Sequence, residues 1–188
     1  MAVPHTAQHT RPPELGFAAL VGQWPDVALA ALDRMRDPDE IQEWLNAIMQ
    51  PDWQQLRSPL SVLRDRRCNP IDAGLFGAAA LRRLGHRPRV LPVRRGGDVW
   101  LAAVYRRSGY LGALGWHPDP RLRFRRVAPA RLSALGRSLS VDAVQAHWPS
   151  RAVDLRRYDG LDWMTEDAAA AAVAEKALAA LADAAAEL

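Results

Sequence analysis

The sequence predicts an α+β fold, in which helices come before and after one antiparallel sheet. Three observations predict it: amphipathic helical segments fill residues 13–63, an apolar helix follows at residues 70–84, and strand-like segments then run consecutively to residue 127. Strands without intervening helices pair as an antiparallel meander, and grouped helices are typical of α+β domains. We expect residues 13–188 to form a single domain. We expect the polar residues 1–12 to be a flexible arm.

Four helices are predicted ahead of the sheet. The first begins at Pro13 and stops near Gly22, and Asp26 is expected to cap the second. Asp37-Pro38 and Ser58-Pro59 start the third and fourth helices. Each pair places a side-chain acceptor at the N-cap and a proline at the first helical position, where a backbone N–H would have no partner. Nothing in this region suggests catalysis.

The apolar helix that follows is the best-defined element of the sequence. Asn69 can cap it, Pro70 suits its first position, and Asp72 stands where the acid of a capping box stands. Its body is apolar nearly all round, and Gly85 ends it as a C-cap. Small residues such as Gly74 would let another backbone approach closely. We therefore expect this helix to be buried against the sheet.

Strand-like segments follow the apolar helix, because β-branched and aromatic residues are frequent in them. They are residues 89–94, 99–105, 110–114 and 121–127. Gly96-Gly97 and Ser108-Gly109 are predicted to be the hairpin turns between the first three. Pro92 has no N–H to donate, which predicts that the first strand lies at an edge or a bulge.

The end of the chain is predicted to be mostly helical. Short helices are expected at residues 130–139 and 141–148, the second with His147 on its apolar face, and extended or irregular structure at residues 151–159. Thr165 is expected to begin a long helix that reaches Leu188, because alanine has the highest helix propensity.

Charge and composition bound the class of protein. The net charge of +4 comes almost entirely from arginines, which are interleaved with acids among the predicted elements, so the sequence does not favour a nucleic-acid partner. The single cysteine excludes an internal disulfide and a multi-cysteine metal site, and suits a reducing cytoplasm. No segment is typical of a signal peptide or of a membrane span. We expect a cytoplasmic protein with no cofactor and no metal site.

Short motifs around the apolar helix and the strands are similar to those of a known family. They are Ile71-Asp72-Ala73-Gly74-Leu75-Phe76, Ala79-Ala80-Leu81, Gly85, Pro88, Val104-Tyr105-Arg106-Arg107, Gly112-Ala113-Leu114, Leu122-Arg123-Phe124-Arg125 and Leu155-Arg156-Arg157-Tyr158. Over about residues 37–164 the chain resembles bacterial transglutaminase-like proteins, relatives of the papain-type cysteine enzymes. The resemblance implies a transglutaminase-like fold. It also implies a cysteine at the start of the buried helix, a histidine base on a later element and an acid or amide that orients the histidine.

The chain departs from the family at the catalytic positions. Alignment on residues 71–76 places Pro70 at the family's cysteine, and alignment on residues 104–106 places Trp100 at its histidine, or Val99 if one gap is allowed. Proline has no nucleophile, and indole is no base near neutral pH. The resemblance therefore implies a pseudoenzyme that has lost the family's chemistry.

We expect such a protein to be a binding or partner module, or to hold a small molecule in a repurposed pocket near Trp100 and Trp116. Its partner would be a small hydrophobic molecule or another protein. In the other interpretation of Trp100, the indole simply fills the space that the histidine left. The candidate ligand-binding residues are Pro70, Asp72, Asp98, Trp100 and Trp116.

The alternative hypothesis is a thiol-dependent acyl transferase or amide hydrolase. Cys68 would be its nucleophile, His117 the base, and Asp119 the acid close behind. The helix N-terminus, Arg66 and Arg67 would lower the pKa of the thiol. Against this, a single cysteine is commonly a small buried apolar residue.

Overall fold

Helices stand before and after one antiparallel sheet in the computed structural model. The model describes residues 24–48, 52–128, 130–139 and 146–186, with side chains to residue 182. The order of elements in these residues confirms the predicted α+β class. The expected arm at residues 1–12 and the expected helix from Pro13 to Gly22 lie outside the described residues.

Three described helices precede the central one: α1 (Asp26–Asp33), α2 (Pro38–Asn46) and α3 (Pro59–Asp65). The predicted starts of α2 and α3 are confirmed. The Asp37 carboxylate accepts hydrogen bonds from two backbone N–H groups of the first turn, and the Ser58 hydroxyl accepts one. The predicted cap at Asp26 is wrong. Asp26 is the first residue inside α1, after Pro25 at the N-cap, and no side chain caps this helix.

The central helix is α4 (Asp72–Arg83), and its first eleven residues are all buried. Glycines allow this helix to lie close to the sheet, as predicted. A Cβ atom on Gly74 would collide with Leu101, and one on Gly77 would collide with Leu114. Gly85 follows the helix with a φ of 84°, a left-handed conformation that glycine adopts without strain.

The six strands of the sheet are β1 (Arg89–Arg95), β2 (Asp98–Arg107), β3 (Tyr110–Leu114), β4 (Phe124–Val127), β5 (Ala146–His147) and β6 (Val153–Asp154). They pair in the order β4-β3-β2-β1, and β5 and β6 share the remaining side of β1. Turns at residues 96–97 and 108–109 join the first three strands, as predicted. β4 is shorter than expected, because Pro120–Leu122 forms a 3₁₀ helix.

Pro92 explains why two short strands share one side of β1. β6 pairs with Arg89 and Val90, β5 pairs with Arg94 and Arg95, and Pro92 lies between them. Proline has no N–H, so no ladder hydrogen bond is lost in this gap. Pro92 therefore lies in a gap in the pairing, as predicted for a residue at an edge. The prediction that β1 is an edge strand is wrong, because β1 has partners on both sides.

The C-terminal elements agree with the predictions in part. α5 (Leu132–Leu139) and the long α6 (Asp167–Ala186) are helices as expected. His147 is not helical, because its backbone pairs with Arg94 of β1, and the rest of the expected helix at residues 141–145 lies outside the described residues. In the stretch expected to be extended or irregular, β6 is extended, whereas Leu155–Tyr158 forms a 3₁₀ helix.

The two faces of the sheet are covered by different helices. Alternate residues of β2 point to opposite faces. Leu101 and Ala103 belong to a core that includes α4 and α6, and this side is named the α4 face. Trp100 and Ala102 pack with Leu135 of α5, and this side is named the α5 face.

Candidate functional site

The loop that leads into α4 is tied by reciprocal hydrogen bonds. Asn69 Oδ1 accepts hydrogen bonds from the backbone N–H groups of Ile71 (2.8 Å) and Asp72 (3.0 Å). The Asp72 carboxylate accepts from the backbone N–H groups of Asn69 (2.5 Å) and Arg57 (3.2 Å). These reciprocal hydrogen bonds have the form of the predicted capping box, although α4 itself begins at Asp72, two residues later than predicted. Burial raises the pKa of Asp72 well above its usual range. Asp72 is a candidate ligand-binding residue, but both of its carboxylate oxygens accept hydrogen bonds from backbone N–H groups.

Cys68 lies just before this cap and has no exposed surface. Its Sγ atom forms no hydrogen bond with a described residue and packs in the core of the α4 face. Burial, assisted by the negative charge of Asp72, raises the pKa of the Cys68 thiol. The expected lowering of this pKa by Arg66 and Arg67 is wrong, because both arginines are exposed and desolvation of the thiolate outweighs their charge.

His117 lies just past β3 and is only 5% exposed. Its ring lies against Trp100, with the ring centroids 4.8 Å apart. The Asp119 backbone N–H donates to His117 Nδ1 at 3.0 Å, and Nε2 lies 3.8 Å from the Asp98 carboxylate. Burial lowers the pKa of His117 despite the two carboxylates nearby. His117 is therefore a packed imidazole that favours its neutral form.

Cys68 and His117 form no hydrogen bond with each other, because Nδ1 of His117 accepts from the Asp119 backbone N–H and its Nε2 lies near the Asp98 carboxylate. The Trp100 side chain that supports the His117 ring lies on the α5 face, whereas Cys68 packs on the α4 face. A general base must be within hydrogen-bond reach of the group it deprotonates, directly or through one water. Cys68 has no hydrogen-bonded base among the described residues.

Asp119 does not orient His117 through its carboxylate. That carboxylate accepts hydrogen bonds from the backbone N–H (2.9 Å) and the Nε (3.1 Å) of Arg121, and Arg95 lies 3.8 Å away. The hydrogen bonds from Arg121 lower the pKa of Asp119 to about 2. The Asp98 side chain is 70% exposed. The expected arrangement of thiol, imidazole and acid is thus not assembled.

The start of α4 lies directly against β2. The Leu101 N–H donates to the Pro70 carbonyl oxygen at 3.2 Å. The backbones of Pro70 and Trp100, the two residues that align with the catalytic positions, therefore lie close together in space. The Trp100 side chain, however, points to the opposite face from α4. Strand alternation instead puts Val99 on the α4 face. The Trp100 indole therefore does not face the start of α4, since a shift of one residue along a strand reverses the face.

Trp100 and Trp116 do not line a common pocket. Trp116 is 6% exposed, packs on the α4 face, and has the Arg123 guanidinium 5.0 Å above its ring. Trp100 is 1% exposed on the other face. Neighbouring side chains cover both indoles. For Trp100 this agrees with the interpretation that it fills space.

A groove that sequence reasoning missed lies between α6 and the β1–β5 pair. Its volume is about 380 Å³, and its lining residues are Arg94, His147, Leu178, Ala179, Leu181 and Ala182. Arg94 is the direct cross-strand partner of both His147 and Val99. The groove therefore lies at the end of the sheet where Arg94 pairs with Val99 and His147. Its sequence signal is weak, because its lining residues come from three distant parts of the chain, at residues 94, 147 and 178–182.

Comparison with known proteins does not assign the chain to a family. No protein-family model matches it, and no curated protein does so either. Within the described ranges, no helix is long and apolar enough to cross a membrane. In the same part of the chain, no three or more His, Cys, Asp and Glu side chains group in a way that could hold a metal ion.

Proposed function

We propose that this chain is a transglutaminase-like pseudoenzyme that acts by binding, not by thiol chemistry. The resemblance supplies the scaffold of the proposal, a buried helix whose start contacts the second strand of an antiparallel hairpin. The contact between the Leu101 N–H and the Pro70 carbonyl is in keeping with that scaffold. Proline at the aligned nucleophile position removes the family's reaction.

The burial of Cys68 is the observation that carries this proposal. A catalytic thiol must reach its substrate and must ionise near neutral pH. Cys68 is 0% exposed, and burial raises its pKa. The candidate base, His117, packs against Trp100, whose side chain lies on the α5 face. The buried position of the Cys68 side chain therefore prevents contact with a substrate and disfavours the thiolate.

The groove beside α6 supports a binding role. It is within the size range of small-molecule sites, roughly 300–1,000 Å³. It differs from the pocket expected near Trp100 and Trp116, whose indoles are covered. The proposal therefore keeps binding as the function and moves the site to the β1–α6 groove.

Alkylation of Cys68 by iodoacetamide tests the loss of thiol chemistry. Native protein and protein unfolded in urea are labelled side by side over a neutral to alkaline pH series, with Cys68→Ala as the background control. We expect native labelling to be at least about a hundredfold slower, because a core group reacts only through opening of the fold. Rapid native labelling with a titration midpoint below the ordinary thiol pKa of about 8.5 would reinstate the thiol enzyme.

A further inference from the structure

The groove between α6 and β1 remains open because the helix presents small side chains to it. Ala179 and Ala182 extend only one methyl group from the helix, whereas Leu178 and Leu181 form apolar walls. Leu181 is 5% exposed, so the wall it forms is anchored in the core. The result is an apolar trough of about 380 Å³ that opens toward the sheet edge.

Arg94 differs from the other arginines of β1. Arg89 pairs with Asp154 at 4.0 Å, and Arg95 pairs with Asp119 at 3.8 Å. The Arg94 side chain forms no ion pair or hydrogen bond with any residue that the structure describes, although it lines the groove. Cross-strand pairing puts His147 beside it on the same face. The groove thus has apolar walls and one unmatched cation at its rim.

We infer that this groove binds a small amphiphilic carboxylate, a molecule with one carboxylate head and an unbranched apolar tail. The tail would lie along Leu178, Leu181 and the two alanines, where removal of apolar surface from water favours binding. The carboxylate would accept two parallel hydrogen bonds from the Arg94 guanidinium, a geometry that arginine favours. His147 supplies a second polar group at the same end.

This inference rests on the proposed function, since it names the ligand class of the same groove. Charge complementarity decides between ligand classes. A neutral apolar ligand would leave Arg94 unmatched, and a polyanion would find apolar helix residues where it needs further cations. A second copy of the chain is the other candidate occupant. Sedimentation velocity distinguishes it from a small molecule, because a second copy would make the protein a dimer.

Isothermal titration calorimetry with decanoate, kept below its micelle concentration, tests the inference on the full chain. We expect one site with a Kd below about 1 mM, and binding of the neutral 1-decanol at least about tenfold weaker because it cannot form the charged pair. Arg94→Gln should weaken decanoate binding at least about tenfold for the same reason. Arg87→Gln is the matched control, since Arg87 is an exposed arginine just ahead of β1 and lies outside the groove.

Ala182→Leu is the second variant, and it tests the apolar trough. Ala182 is exposed, so leucine there should fold normally, which circular dichroism checks, and should fill the groove and weaken decanoate binding. Equal affinity in wild type and Arg94→Gln, or no binding up to about 1 mM, overturns the inference. A dimer in sedimentation velocity that Ala182→Leu dissociates also overturns it, and assigns the groove to a second copy. If native Cys68 does not react with iodoacetamide, these failures overturn only the ligand class, and the proposed loss of thiol chemistry stands. A reactive native Cys68 contradicts the loss of thiol chemistry and leaves the decanoate result unaffected.

Discussion

At the residue scale, burial favours the neutral forms of Cys68, Asp72 and His117. The pKa values of Cys68 and Asp72 are raised, and that of His117 is lowered, with loss of solvation as the largest cause in all three. Charged neighbours compete but do not reverse these directions. Sequence neighbours such as Arg66 and Arg67 therefore misled the prediction for Cys68, because they contribute charge but do not determine burial.

His117 should make stability depend on pH. Its folded pKa lies below the ordinary value of 6.5, so the unfolded chain takes up the proton first as pH falls. The stabilisation is fully present above that ordinary value and is lost as pH falls through it toward the lower, folded pKa. We expect the free energy of unfolding of His117→Gln to fall less steeply with decreasing pH, by up to about 1.4 kcal/mol per pH unit.

Urea denaturation of both proteins at a series of pH values below neutral measures this difference. His86 also has a lowered pKa and contributes a slope of the same sign to both proteins, so the difference between them isolates His117. Parallel pH profiles for wild type and variant would show that burial of His117 does not influence its protonation.

At the element scale, contacts within a few residues make the helix starts predictable. The caps at Asp37, Ser58 and Asn69 bond backbone groups two or three positions ahead, so their residue types and spacing specify them. Strand ends are less predictable. Ala146–His147 is a strand only because β1 offers it free backbone groups beside Pro92.

Gly74 should be intolerant of substitution, because its position determines how closely α4 lies on β2. A Cβ at this position would collide with the Leu101 backbone. We expect Gly74→Ala to lower the free energy of unfolding by about 1–3 kcal/mol, although alanine is the better helix former. Urea denaturation measures the change.

Gly97→Ala is the matched control for Gly74→Ala. No heavy atom lies within 4 Å of a Cβ built on Gly97, which is outside the left-handed region. The change there should be within about 0.5 kcal/mol. Equal effects of the two variants would mean that α4 can move away from the sheet without loss.

At the scale of the whole molecule, positive and negative charges are concentrated in different segments of the chain. Residues 82–137 contain fourteen arginines and two aspartates, whereas most acids lie in the remaining segments. Pairs such as Arg82–Asp159 and Arg83–Asp33 therefore join distant parts of the chain. The sequence showed the arginine excess, but only the folded chain pairs these residues.

Arg82 and Arg83 provide a matched test of these long-range pairs. The Arg82 and Asp159 side chains are 7% and 12% exposed, whereas those of Arg83 and Asp33 are 45% and 54% exposed. We expect Arg82→Ala to destabilise by about 3–5 kcal/mol, because it leaves a buried carboxylate without its cation. Arg83→Ala should cost about 0–1 kcal/mol, because water screens an exposed pair.

Urea denaturation of the two arginine variants checks this contrast. Adding Asp159→Asn to Arg82→Ala should recover part of the loss, since the unpaired charge is removed. If both arginine variants lose the same stability, burial does not govern these pairs.

The sequence by itself determined the α+β class, the order of the elements from α1 to β4 and most helix starts. These follow from periodicity and from capping contacts between near neighbours in the chain. Only the tertiary structure decided that Cys68 is buried, that Trp100 and Trp116 lie on different faces, and that Arg94 and His147 share a groove with α6. Burial and facing depend on register and on residues far away in the chain, and a shift of one residue along a strand reverses the face.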